Sequence, residues 1–137
     1  MKKKAVVIDD DNDMTIYLSS ILEDHDFSVR TATSADEAER IILDDPPHLI
    51  CLDLVMPGRT GIQLFTRLRG NEKTKHIPCI MVTGINEQLN IDWKEIVKRL
   101  KARVPDGFIE KPAEPEQFMQ LVNKVMNKNR SDGVQMA

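Results

Sequence analysis

The sequence predicts a doubly wound α/β domain, in which a five-stranded parallel sheet carries helices on both faces. Five short apolar runs alternate along the chain with five segments whose apolar residues recur at helical spacing. The runs are nearly unbroken, which is typical of parallel strands that are buried on both faces. The length of 137 residues suits one core and is too short for two domains of ordinary size.

The predicted strands are apolar runs that are too short for buried helices, at residues 5–8, 28–31, 49–52, 79–82 and 107–109. The predicted helices contain apolar stripes, the first with Met14 and Tyr17 and the others with Ala38, Ile62, Trp93 and Phe118. Ser34 and Glu37 form a possible capping box for the second helix, and prolines follow the second and fourth helices. Right-handed crossovers between successive strands then give a parallel sheet.

Composition excludes several classes of protein. Hydrophobic residues make up 41% and charged residues 30%, which is ordinary for a folded globular chain. The net charge of −3 supplies no basic field for nucleic acid, and no apolar run approaches the roughly 20 residues of a spanning helix. Nothing indicates export, and Cys51 and Cys79 are predicted to be buried reduced thiols. The sequence therefore predicts a cytoplasmic protein.

Polar residues follow four of the predicted strands. Asp9 and Asp10 follow the first, Asp53 the third, Thr83 the fourth and Lys111 the fifth. In a parallel sheet these positions share one edge, where ligands bind in doubly wound folds. Three acids, a hydroxyl and a lysine are the groups needed to hold a hard cation and a phosphoryl group.

The three acids predict a metal site. Carboxylates gathered at Asp9, Asp10 and Asp53 repel one another unless a cation joins them. Carboxylate oxygens without Cys or His favour Mg²⁺. Asp53 is then the candidate nucleophile for phosphorus, with Lys111 neutralising charge on the phosphoryl oxygens.

Each residue alone also has an ordinary structural interpretation. Acids after the first strand cap the first helix, and Asp11 or Asn12 is the expected cap. An aspartate such as Asp53 is common in turns, and a threonine such as Thr83 is common as the cap of a helix. Only the joint placement of these residues on successive strand ends favours the phosphoryl site.

At these residues the sequence resembles the receiver domain of two-component response regulators, from residue 4 to about residue 127. Four segments carry the resemblance without a gap: VIDDD at 7–11, LDLVMPGRTG at 52–61, IPCIMVTG at 77–84 and GFIEKP at 107–112. The resemblance implies a flavodoxin-like receiver fold with strand order 2-1-3-4-5. It also implies a receiver domain over residues 1–127, followed by a frayed polar tail at 128–137.

The resemblance assigns a role to each site residue. Asp53 would accept a phosphoryl group from a sensor histidine kinase or a histidine phosphotransfer protein. Mg²⁺, or Mn²⁺, would be held by Asp10, Asp53 and the backbone carbonyl of Val55, with Asp9 supporting the ion through water. Lys111 would pair with the carboxylate and then with the phosphate. Two further residues, Thr83 and Phe108, would shift together and remodel the face formed by the fourth helix, fifth strand and fifth helix.

Departures from the family pattern carry their own expectations. Phe108 stands where tyrosine is common, so it keeps the ring without a hydroxyl. Val55 and Ile85 place apolar side chains two residues beyond Asp53 and Thr83, where polar groups orient water, so we expect slow autodephosphorylation. The resemblance implies a phosphoacceptor signalling protein rather than an enzyme, which catalyses only its own phosphorylation from small phosphodonors and this slow dephosphorylation. The segment between Thr83 and Lys111 is longer than in compact chemotaxis-type receivers, which changes the expected output surface.

Few residues follow Lys111, so we expect a stand-alone receiver without a DNA-binding domain that acts on an unknown downstream protein or relays the phosphoryl group. Phosphorylation-dependent dimerisation is left open. Three lysines of the fourth predicted helix, Lys94, Lys98 and Lys101, form either a solvated face, a protein-docking surface or a nucleic-acid contact.

Three other classes of protein compete with this interpretation. A flavodoxin-like nucleotide binder needs a phosphate cradle where this chain has Asp9 to Asp11. A haloacid-dehalogenase-like phosphatase has a second acid where this chain has Val55. A receiver-like module that binds partners without phosphorylation would not need the complete set of site residues.

Overall fold

The computed structural model describes residues 2–54, 61–84, 105–111, 113–127 and 134–136. Its strands are β1 (Lys3–Ile8), β2 (Phe27–Ala32), β3 (Leu49–Asp53), β4 (Cys79–Thr83), β5 (Gly107–Glu110) and β6 (Gln135–Met136). Its helices are α1 (Asn12–Glu23), α2 (Ala35–Asp44), α3 (Gly61–Arg69) and α4 (Pro115–Asn127). Helix α4 is the fifth of the predicted helices, because the fourth, which begins near Trp93, lies outside the described residues.

All the strands are parallel, in the order β2-β1-β3-β4-β5-β6. The predicted order 2-1-3-4-5 is confirmed, and β6 is an addition at the β5 edge. The expectation of a frayed tail is wrong for Gln135 and Met136, because these residues pair with Gly107 and Phe108. The division of the chain at residue 127 stays a prediction.

Two apolar cores lie on opposite faces of the sheet, because successive strand residues point to opposite sides. Ala5 and Val7 of β1 pack with side chains of α1 and α4. Val6 and Ile8 pack with side chains of α2 and α3. This arrangement confirms the doubly wound architecture. None of the described helices has both the length and the apolarity needed to cross a membrane.

Local sequence signals explain where two helices begin. The Asp11 side chain accepts a hydrogen bond from the Asp13 N–H at 3.0 Å and caps α1. The Ser34 hydroxyl accepts one from the Glu37 N–H at 3.2 Å and caps α2, as predicted. Asp11 is therefore a helix cap, which leaves Asp9 and Asp10 as the acids available to a site.

Both cysteines are free and buried, as predicted. Burial raises the pKa of the Cys79 thiol to about 12, and burial together with the neighbouring Cys79 raises the pKa of Cys51 above its ordinary value. The two thiols therefore stay protonated at neutral pH and pack as small apolar groups.

Gly61 fixes the distance between the start of α3 and the end of β3. A Cβ atom on Gly61 would lie 1.9 Å from the backbone oxygen of Asp53 and 3.0 Å from the Cα atom of Leu54. The Gly61 N–H also donates to the Leu54 carbonyl oxygen at 2.9 Å. Any other side chain would therefore displace backbone at the carboxyl end of β3.

We predict that Gly61→Ala lowers the free energy of unfolding by about 1–3 kcal/mol, because the new methyl group overlaps backbone rather than a mobile side chain. Urea unfolding followed by circular dichroism measures this change. Gly84→Ala is the matched control, since its nearest neighbour would be the Lys111 Cδ atom at an ordinary 3.7 Å. Equal stability of the two variants would contradict the prediction.

Candidate functional site

The sheet register brings the predicted acids together. Ile8 of β1 pairs with Leu52 of β3, so the residues that follow them, Asp9 and Asp53, lie side by side at the carboxyl ends of neighbouring strands. Asp10 comes next in the chain, before α1 begins. The acidic cluster thus follows directly from the pairing of β1 with β3.

The acidic cluster consists of Asp9, Asp10 and Asp53. One carboxylate oxygen from each residue lies within 4.8 Å of the others. Asp9 is 1% exposed and Asp53 is 6% exposed, whereas Asp10 is exposed. Two of the acids are therefore buried, and the third opens the cluster to solvent.

Lys111 reaches the acidic cluster from the end of β5. Its Nζ atom lies 2.6 Å from Oδ2 of Asp9 and 3.9 Å from Oδ1 of Asp53. The resemblance implied a pair with the Asp53 carboxylate, and the structure places the shorter contact on Asp9. The lysine therefore bridges the two buried acids and offsets part of their mutual repulsion.

The two oxygens of Asp9 are both hydrogen-bonded. Oδ2 accepts from the Lys111 ammonium group, and Oδ1 accepts from the Asp11 N–H at 2.9 Å. These bonds hold the Asp9 carboxylate in one orientation, and they connect it to the residue that caps α1. Asp9 is therefore fixed as a structural member of the acidic cluster.

The donor set fits a hard divalent cation. The acidic cluster offers three carboxylate oxygens at spacings that one ion spans, and it contains neither Cys nor His. One face of it is open through Asp10, as an ion that keeps several waters requires. The predicted fourth ligand, the Val55 carbonyl, lies outside the described residues.

The two predicted switch residues, Thr83 and Phe108, lie in different parts of the sheet. Thr83 ends β4 and pairs with Glu110, so its backbone is at the same sheet edge as Asp53 and Lys111. Phe108 is 2% exposed and packs in the core beside α2 and α3. It is on the strand that leads to Lys111.

Two residues near the site were missed by the sequence interpretation. The sequence interpretation gave Gly61 no role of its own within the segment at 52–61. In the structure it sets how closely α3 approaches Asp53. Tyr17 was predicted as part of an apolar stripe, yet it is 39% exposed and its hydroxyl donates to the Ala113 carbonyl at 2.7 Å. That bond ties α1 to the segment after Lys111, and residues so distant in sequence give no local signal.

Comparison with known proteins agrees with this geometry. The model of the response regulator receiver domain matches residues 5–123. The solved structure of chemotaxis protein CheY4 from Vibrio cholerae superimposes with a TM-score of 0.80 at 24% identity, covering 91% of this chain and 99% of CheY4. This last likeness shows the fold.

Two curated relatives differ in length. The phosphate regulon transcriptional regulatory protein PhoB of Rhizobium meliloti is 31% identical over 132 residues, which is 96% of this chain and 56% of PhoB. Protein PilH of Pseudomonas aeruginosa is 29% identical over 123 residues, which is 90% of this chain and 97% of PilH. The chain thus spans about half of PhoB. Since the family model covers most of its length, the chain belongs to the response regulator receiver domain family.

Proposed function

We propose that this protein is a phosphoacceptor of a two-component signalling system, in which Asp53 receives a phosphoryl group from a histidine kinase or a histidine phosphotransfer protein. The observation that carries the proposal is the acidic cluster of Asp9, Asp10 and Asp53 bridged by Lys111. Such a cluster is costly for the fold alone, because it gathers like charges in a buried place.

Asp53 is the best candidate for the nucleophile. Both oxygens of Asp9 are held by hydrogen bonds, and Asp10 is exposed. Asp53 is buried at the end of β3, with Oδ1 at 3.9 Å from the Lys111 ammonium group. In the proposed step an Asp53 oxygen bonds to phosphorus, the bond between phosphorus and the donor's histidine nitrogen breaks, and that nitrogen keeps the electron pair.

The acidic cluster would hold Mg²⁺ or Mn²⁺ through Asp10 and Asp53, with Asp9 supporting the ion through water and the Val55 carbonyl as a further expected ligand. When bound, the ion supplies positive charge to the phosphoryl oxygens. Lys111 supplies the second positive charge, and its Nζ atom already lies 3.9 Å from Oδ1 of Asp53.

Lys111 also links the site to the rest of the sheet. A phosphoryl group on Asp53 would compete with Asp9 for the ammonium group, which draws the end of β5 toward β3. We propose that Thr83 and Phe108 respond together and alter the face formed by the fourth predicted helix, β5 and α4. A downstream protein would bind that face, or the phosphoryl group would pass onward.

The proposal has further parts that concern the phosphate lifetime, the output surface and the location. The slow autodephosphorylation expected from Val55 and Ile85 stays a prediction, because both residues lie outside the described part of the chain. The same holds for the lysines of the fourth predicted helix. We propose a cytoplasmic location because two-component partners and reduced buried thiols both fit that compartment.

We predict that incubation with acetyl phosphate and Mg²⁺ adds one phosphoryl group to the native chain, as measured by intact-protein mass spectrometry. The adduct should be absent without the metal and absent from Asp53→Asn, which keeps the size of the side chain but loses its nucleophilic oxygen. Asp44→Asn is the matched control, because Asp44 is exposed on α2 and outside the acidic cluster.

An adduct on Asp53→Asn equal to that on the native chain would contradict the proposed site. If the native chain gains no adduct, the same measurement is repeated with a phosphorylated histidine kinase as donor. Failure with both donors would favour the alternative function, a receiver-like module that binds partners without phosphorylation.

We predict that Lys111→Ala still accepts the phosphoryl group but fails to change conformation, because the variant lacks the group that joins the site to β5. Trp93 is the single tryptophan of the chain, and its fluorescence reports on the segment between Thr83 and Lys111. Phosphodonor should alter this emission in the native chain and in the control Lys73→Ala, an exposed lysine between α3 and β4, by at least several times the change in Lys111→Ala.

Mass spectrometry of the same samples separates loss of phosphorylation from loss of the response. An emission change of native size in Lys111→Ala, or normal activation of a downstream partner by this variant, would remove the coupling role from Lys111.

A further inference from the structure

The outer edge of β5 is covered by three residues near the end of the chain, which we call the cover strand (residues 134–136). The Gln135 N–H donates to the Asp106 carbonyl oxygen at 2.8 Å, and the parallel register pairs Gly107 with Gln135 and Phe108 with Met136. Val134 is partly buried against the core that contains Phe108. The cover strand thus combines backbone pairing with one apolar contact.

The β5 side of this contact is shaped for a neighbouring backbone. A Cβ atom on Gly107 would lie 3.1 Å from the Gln135 carbonyl oxygen and 3.1 Å from the Leu121 Cδ1 atom. Both distances are tighter than ordinary Cβ contacts. The absence of a side chain at residue 107 therefore permits a strand to approach this edge closely while α4 covers the sheet.

Asp106, which precedes β5 and accepts the Gln135 hydrogen bond, is itself held in place by α3 and β4. The Asp106 carboxylate accepts from the Arg69 guanidinium group at 2.7 Å and from the Cys79 N–H at 2.8 Å. Arg69 also donates to the Ile77 carbonyl at 2.6 Å. These bonds anchor the start of β5 to α3 and β4, so its outer backbone groups have a fixed position whether or not the cover strand is paired.

The cover strand itself is held weakly. Its ladder has two residues, whereas the five strands of the main sheet have four to six. Val134 and Gln135 are both partly exposed. A strand this short contributes little pairing energy, and an uncovered sheet edge pairs readily with another extended chain.

We propose that the β5 edge is a strand-addition site, and that in the isolated protein the chain's own residues 134–136 occupy it in cis. The partner it fits is an extended polypeptide segment that runs parallel to β5, with an N–H at the Gln135 position and a branched apolar side chain at the Val134 position. Such a segment would add directly to the strand that leads to Lys111. The proposal is independent of the phosphoryl chemistry.

The test compares two proline variants of the full chain. Gln135→Pro removes the N–H that bonds to Asp106, whereas Met136→Pro removes an N–H that alternation directs away from β5. In parallel pairing the cover strand also accepts from an N–H of β5, so release of the cover strand exposes that amide. Hydrogen exchange followed by mass spectrometry on the peptide over residues 105–111 should therefore be about tenfold faster in Gln135→Pro, as expected for loss of that amide's hydrogen bond. It should be unchanged in Met136→Pro, and circular dichroism checks that both variants fold.

Fluorescence anisotropy of a labelled peptide with the sequence of residues 131–137 tests whether the released edge accepts another strand. The peptide should bind Gln135→Pro at least several times more tightly than it binds the native chain or Met136→Pro, because the edge of Gln135→Pro is uncovered. Unchanged exchange in Gln135→Pro would show that residues 134–136 do not cover the edge, and faster exchange without tighter peptide binding would overturn the strand-addition site. If the exchange protection of residues 105–111 in the native chain falls when the protein is diluted, the strand that covers the edge belongs to a second copy. That result would overturn occupation in cis.

Discussion

The mutual repulsion of Asp9, Asp10 and Asp53 is the constraint on which the rest of the site depends. Three carboxylates with oxygens within 4.8 Å of one another, two of them buried, destabilise the fold unless positive charge joins them. Lys111 supplies one positive charge, and an oxygen-binding divalent cation fits the remaining requirement. In the proposed function, the electrostatic conflict that destabilises the acidic cluster would also make it responsive to a phosphoryl group.

The topology of the sheet turns this constraint into a site. Pairing of β1 with β3 sets Asp9 beside Asp53, while Lys111 reaches them from β5 across the position of β4. The site therefore joins residues from the ends of three strands. Gly61 keeps α3 against the end of β3, and the Tyr17 hydroxyl ties α1 to the residue after Pro112.

Most of the fold could be predicted from the sequence, because each main strand is an apolar run and each described helix carries an apolar stripe. The acids could be predicted for the same reason, since the ends of parallel strands share one edge. The shorter contact of Lys111 with Asp9 could not, because it depends on the reach of a long side chain across the sheet. Strand β6 was missed because Gln135 and Met136 have no periodicity, and Gly107 alone gives no sign of the strand that packs on it.

The central claim is that Asp53, rather than another acid of the cluster, carries the phosphoryl group. The most direct measurement phosphorylates the native chain in the presence of Mg²⁺, reduces the aspartyl phosphate to homoserine with borohydride, and locates the homoserine by peptide fragmentation. Homoserine at position 53 is the predicted result. Homoserine at the position of Asp9 or Asp10 would contradict it, because the nucleophile would then be an acid to which the proposal gives a supporting role.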